Sequence, residues 1–127
     1  MNCLPGKHRI TVCLLVLILA TSVLHALPRP YRSILVIHSY NIEYQWTAEI
    51  QRGVLETVHD SGKQHLICTE FLDWKRFPQE SRMDLFSRHI AEKYPPGSVD
   101  LVVVSDDRAL EFAVANRKTL FPGLPIV

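Results

Sequence analysis

A short, wholly apolar, β-branched run, Ile34 to Ile37, breaks abruptly into His38-Ser39-Tyr40-Asn41, with Tyr44 and Trp46 close behind. Apolar runs of this length suit a parallel strand buried on both faces. Ligands in open α/β sheets sit just beyond the carboxyl ends of such strands. The break therefore puts polar and aromatic groups where a binding crevice needs them.

The same alternation repeats along the chain. Strand one is expected over Ile34 to His38. A helix starting near Thr47, taken as its N-cap, carries Ile50, Val54, Leu55 and Val58 on one face and stops at Ser61-Gly62. Strand two runs from His65 to Leu72. Asp73 to Pro78 is a connecting loop, in which Asp73, Lys75 and Arg76 form a mixed-charge group read as solvated, with lining the crevice as the alternative. The second helix covers about Glu80 to Lys93, with Met83, Phe86 and Ile90 at helical spacing, and Pro95-Pro96-Gly97 forbids its continuation. Strand three is Leu101 to Val104. Ser105-Asp106-Asp107 caps a third helix, whose expected buried stripe is Leu110, Ala113 and Val114. Phe121-Pro122-Gly123 turns into a fourth strand ending at Val127.

Strands alternating with helices imply an α/β fold with right-handed crossovers. The expectation is a three-layer, doubly wound parallel sheet in the order 2-1-3-4. The switch point then lies between strands one and three. Loops His38 to Trp46 and Ser105 to Arg108 face each other across it. The fourth strand has no following helix, so the domain, residues 27–127, is expected to be incomplete.

Residues 1–26 have the pattern of a secretory signal peptide. Lys7, His8 and Arg9 lead an uncharged run from Ile10 to Leu24, and Ala26 stands at the cut position. An uncleaved anchor is the rival reading, although the apolar run is short for a crossing. The implied location is periplasmic or otherwise extracytoplasmic. Contact with a membrane is expected only through such an anchor or a downstream span. Cleavage removes Lys7 and Arg9, turning the formal +1 of the whole chain into a single negative charge in excess. That balance gives no electrostatic footprint for nucleic acid. Cleavage also leaves Cys68 as the one cysteine, read as a small core residue.

The candidate ligand-binding residues are His38, Ser39, Tyr40, Tyr44, Trp46, Asp106 and Asp107. Tyr40, Tyr44 and Trp46 offer rings for stacking on a flat or cationic ligand, although Trp46 also fits a packing role against the first helix. One of Asp106 and Asp107 suits an N-cap, leaving the other free for ligand. His38 and Ser39 are adjacent on an extended chain and point to opposite sides, so they do not form a nucleophile–base pair with each other. No Gly-x-Ser-x-Gly elbow is present. No phosphate-cradling glycine loop follows strand one, which argues against a nucleotide cofactor. His59, His65 and His89 lack metal-ligand spacing. No cofactor, no metal and no enzymatic activity are expected.

Taken together, ILVIHSYNIEYQWT, FLDWKRF, DLVVVSDDRALEF and LFPGLPIV resemble one family. They are similar to extracytoplasmic sensor domains of bacterial histidine kinases, domains related to ABC-transporter substrate-binding proteins. The resemblance covers about Tyr31 to Val127. It implies the first part of a lobe like those of type 1 periplasmic binding proteins, which close in pairs over a small ligand, and a signalling or transporter partner. It transfers no ligand, and no kinase module lies in these residues. A soluble transporter component is one alternative. A small secreted α/β hydrolase-like enzyme using Ser39 or Ser105 with His38 is another.

Overall fold

The computed structural model describes residues 31–127, so the expected leader lies outside the described residues. Strands β1 (Arg32–His38), β2 (His65–Phe71) and β3 (Leu101–Ser105) alternate with helices α1 (Gln45–Asp60), α2 (Ser81–Lys93) and α3 (Asp107–Ala115). The strands form one parallel sheet in the order β2-β1-β3. Ile34 pairs with Ile67 on one side and Leu101 on the other, and the registers continue to His38, opposite Phe71 and Ser105. Central β1 is buried from Ser33 onward, as its unbroken apolar run requires.

Alternate residues of β1 serve different partners. Leu35 and Ile37 join a core with Val102, Ile90 of α2, and Ala109, Phe112 and Ala113 of α3. Phe112 meets Phe86 edge-on at 4.9 Å and Phe121 at 6.4 Å between ring centroids. Ile34 instead borders a groove with Ile50, Val54 and Val58 of α1. Cys68 is a free thiol packed against the core.

One charged residue lies inside this packing. Glu70 on β2 is 8% exposed. It accepts hydrogen bonds from Lys93 Nζ (2.6 Å) and Tyr94 Oη (2.7 Å), and its Oε2 lies 3.1 Å from His89 Nε2. Burial raises the carboxyl, but the bonds from Lys93, Tyr94 and His89 outweigh it and hold the pKa below the usual glutamate value.

Several boundaries differ from the pattern-based expectation. Helix α1 begins before Thr47, which is 1% exposed and inside the first turn. Tyr44 occupies the N-cap position without a side-chain cap. Leu55 is exposed, and Ile50, Val54 and Val58 are half-buried. In α3 the buried stripe is Ala109, Phe112 and Ala113, while Leu110 and Val114 are exposed. The phase is set by docking: the Ala109 N–H donates to Ser39 Oγ at 2.9 Å, and Phe112 enters the aromatic cluster. Four strands were expected and three form. Ile126 reaches β3 through a single parallel bridge to Val102, with Val127 N donating to Val102 O at 3.0 Å. Gly62, just beyond α1, has φ 66°, the left-handed geometry that ends a helix at little cost.

Candidate functional site

The carboxyl ends of all three strands open at one edge, and backbone hydrogen bonds lace their loops together. Ser39 N donates to Ser105 O (3.2 Å), Leu72 N to His38 O (2.9 Å) and Trp74 N to Ser39 O (2.9 Å). The β1 loop is thus fastened to those after β2 and β3. The topology switches direction between β1 and β3, the point beyond which open α/β sheets generally place their ligands.

His38 and Ser39 form the floor beneath these loops, both fully buried. Ser39 Oγ donates to Ser105 O (2.9 Å) and accepts from Ala109 N (2.9 Å), pinning the start of α3 to β1. The His38 ring spans the sheet. Its Nδ1 lies 2.6 Å from Ser105 Oγ, and its Nε2 lies 2.8 Å from Gln51 Oε1. Gln51 Nε2 donates onward to Thr69 Oγ1 at 3.1 Å. With the Gln51 amide fixed this way, Nε2 carries the proton and Nδ1 accepts from the Ser105 hydroxyl. Burial lowers the His38 pKa, and the Gln51 bond only partly opposes it. The neutral ring stacks on Phe71 at 5.4 Å.

Tyr40, Tyr44 and Asp106 meet at the surface above that floor. The two rings pack edge to face at 5.4 Å, and Tyr40 Oη donates to Asp106 Oδ1 at 3.4 Å. Burial and the neighbouring Asp106 carboxylate raise the Tyr40 pKa, so its hydroxyl stays a donor. Lys75, from the β2 loop, places Nζ 3.7 Å from the Tyr44 ring centroid and 4.8 Å from that of Tyr40. Arg108 lies over the Trp74 ring at 4.5 Å, and its NH1 pairs with Glu111 at 2.7 Å.

Two aspartates at this edge hold left-handed backbone. Asp73 has φ 56°. Its carboxylate is bonded by Arg76 Nε (2.8 Å) and Asn41 Nδ2 (3.0 Å). The Arg76 bond lowers its pKa despite some opposing burial. Asp106 has φ 74° and ψ 165°, a region otherwise kept for glycine. Its Oδ1 caps α3 by accepting from Asp107 N at 2.7 Å.

Of the residues picked from sequence, Tyr40, Tyr44 and Asp106 are brought together. His38 and Ser39 lie beneath them. Asp107 is exposed in the first turn of α3. Trp46 stands on the first turn of α1, 57% exposed, and makes no ring contact among the described residues. Trp74 and Gln51 had no place in the expected site, whereas Lys75, with lining the crevice as its lesser reading, and Arg108, at the end of the Ser105 to Arg108 loop, come to this edge. The FLDWKRF segment was the available signal, since Trp74 and Lys75 directly follow a strand end. A cavity of about 590 Å³ continues from this edge, bounded by Asn41, Asp73 and Trp74 and by Met83 and Phe86 of α2.

Among the described residues no group of three or more His, Cys, Asp or Glu side chains is placed to hold a metal ion. None of the described helices is long and apolar enough to cross a membrane. In comparisons with known proteins, no family model, curated protein or solved structure matches this chain.

Proposed function

We propose that this chain is a small-molecule sensing or solute-binding module that binds its ligand at the carboxyl edge of the sheet. The observation that carries the reading is the meeting of Tyr40, Tyr44, Lys75 and Asp106 from three separate loops above the switch between β1 and β3. Rings and a carboxylate over a buried, hydrogen-bonded floor are typical of a site that orients a small polar ligand. His38 and Ser39 act as positioning residues in this reading, and Trp46 and Asp107 stand at the rim.

The wider reading follows from the resemblance. The fold is that of a three-layer, doubly wound lobe with the order 2-1-3-4, a reading that the single parallel Val102–Ile126 bridge supports. The module is exported behind residues 1–26 and serves as sensor input to a histidine kinase. Ligand favours lobe closure, and closure biases the next element in the signalling chain. A soluble transporter component shares the same site and differs only in its partner.

One observation favours a second reading. Ser105 Oγ and His38 Nδ1, 2.6 Å apart, have the spacing of a nucleophile and its base. Ser105 is 8% exposed and His38 0%, and the second ring nitrogen is held by Gln51. The contact serves the floor better than it serves a reaction.

A thermal-shift screen of small polar metabolites against the full chain tests the proposal. At least one compound should raise the melting temperature of the wild type and not that of Tyr44→Ala. Equal shifts in both proteins would move binding away from this edge. Turnover of an ester substrate, lost in Ser105→Ala, would favour the hydrolase reading instead.

A further inference from the structure

Lys75 is unlike the other cations at this edge. Arg76 is paired with Asp73 and Glu43, and Arg108 with Glu111. Among the described residues no carboxylate lies within ion-pair distance of Lys75 Nζ, whose partners are the rings of Tyr40 and Tyr44. An ammonium group is attracted to the negative face of an aromatic ring, and more strongly when two rings share it. Asp106 complements this from the other side. Its carboxylate reaches the Tyr40 hydroxyl and has no cation within ion-pair distance among the described residues. It is also held in backbone geometry that L-residues rarely adopt.

We propose that Tyr40, Tyr44 and Asp106 form a recognition site for the ammonium group of a ligand, and that Lys75 Nζ occupies the aromatic half of that site in the free protein. The inference rests on the carboxyl edge being the binding site and adds the chemical class of what binds there. Lys75 shows that a tetrahedral ammonium fits against the two rings. It also competes with the ligand, because a tethered cation returns to the rings whenever the site empties. A weakly hydrated, alkylated ammonium displaces it more readily than a primary amine, since less water must be removed. Lys75 then swings into solvent at little cost, being exposed and having no other partner to break. The Asp106 carboxylate caps α3 through Oδ1 and at the same time stands beside the Tyr40 hydroxyl, so the cap fixes it at the edge of the ring pair.

The sign of the Lys75 effect separates this site from an anion site. If Lys75 instead awaited a carboxylate or phosphate on the ligand, its removal would weaken binding. Under the proposal its removal strengthens binding, because the competitor and its positive charge both disappear.

The test is a titration of the full chain with tetramethylammonium chloride, with sodium chloride as ionic-strength control and sodium acetate as the anionic probe. Ring resonances of Tyr40 and Tyr44 and the Lys75 ε-methylene are followed by NMR. The ring signals should shift saturably with tetramethylammonium alone, and the ε-methylene should lose its ring-current displacement as Lys75 leaves. Lys75→Met should tighten binding by about 2–5-fold, the value of one exposed cation–ring contact, and Tyr44→Leu should abolish saturation while the melt stays cooperative. Unchanged or weaker binding in Lys75→Met, or saturable acetate binding at Lys75, overturns the proposal. If tetramethylammonium fails while a metabolite from the thermal-shift screen moves the same tyrosine signals, the cation site is refuted and the binding edge stands. If neither moves them, both are refuted.

Discussion

Replacing Asp106 by glycine should stabilise the protein although it deletes a helix cap. At φ 74° and ψ 165°, a residue with a Cβ sits in a region that costs about 1–3 kcal/mol, and glycine occupies it freely. Against this stand three losses, the least of them the long, exposed bond from Tyr40 Oη at 3.4 Å. The Oδ1 bond to Asp107 N (2.7 Å) disappears, but glycine is a tolerable N-cap, worse than aspartate by only about a few tenths of a kcal/mol. Glycine also loosens the unfolded chain, at a cost of about 0.4–1 kcal/mol. The balance is a net gain of about 0–2 kcal/mol, centred on about 1 kcal/mol. Asp106→Ala keeps the backbone strain and loses the cap, so it should be destabilised by about 1 kcal/mol. Urea unfolding followed by tryptophan fluorescence measures both variants, and an unchanged m-value confirms that only stability has moved. If Asp106→Gly falls in step with Asp106→Ala, the backbone at this position is not strained. Asp106 would then be a simple helix cap with no strain held at the site.

Glu70→Gln should cost about 1–2 kcal/mol at neutral pH: the bonds to Lys93 and His89 are discounted for those residues' exposure, while the amide oxygen still accepts from Tyr94. Because the folded pKa of Glu70 lies below its unfolded value, the stability it contributes is complete above the unfolded glutamate range and is lost as pH falls through the folded value. Urea midpoints measured from pH 7 down to acid should therefore fall more steeply in the wild type than in Glu70→Gln, and parallel curves would contradict the assignment. His38 has a lowered folded pKa as well, so it binds its proton more readily when unfolded, and the stability of its neutral form declines as pH drops below about 6.5. Its ring signals in a histidine NMR titration should stay in the neutral form below that pH, and titration at the ordinary value would show that the Ser105–His38–Gln51 network is open. Phe112→Ala, which empties the space between Phe86 and Phe121, should cost about 3–5 kcal/mol in urea unfolding, and a loss below 1 kcal/mol would place Phe112 outside the core.

The strands and their carboxyl ends were legible because a strand buried on both faces has to be written as a continuous apolar run. Ile34 to Ile37 and Leu101 to Val104 leave no other economical reading, and Pro95-Pro96-Gly97 marks a stop by covalent geometry alone. The phase of α3 was not legible. Ala109, Phe112 and Ala113 form one helical stripe, Leu110, Ala113 and Val114 form another, and both are apolar. Contacts with Ser39 and Phe86, distant in sequence, choose between them. The site divides in the same way. Tyr40, Tyr44 and Asp106 announce themselves by following strand ends. Lys75 reads first as a solvated lysine and only second as a crevice residue until the fold puts the β2 loop beside two tyrosines. Gln51 was hidden for the same reason, since a glutamine within a helix carries no pattern until His38 and Thr69 are placed under it. The left-handed backbone of Asp73 and Asp106 leaves no trace in composition, because aspartate is common at strand ends and helix caps in any case.

The central claim is that ligand binds at the carboxyl edge of the sheet. The most direct measurement is backbone amide chemical-shift mapping on the full chain, with the compound that raises its melting temperature most. The account predicts that the largest shifts cluster at Tyr40, Tyr44, Lys75 and Asp106. It would be contradicted if they clustered at the groove of about 610 Å³ at the opposite end of β2, around Tyr31, His65 and Leu66, while the tyrosine loop stayed unmoved.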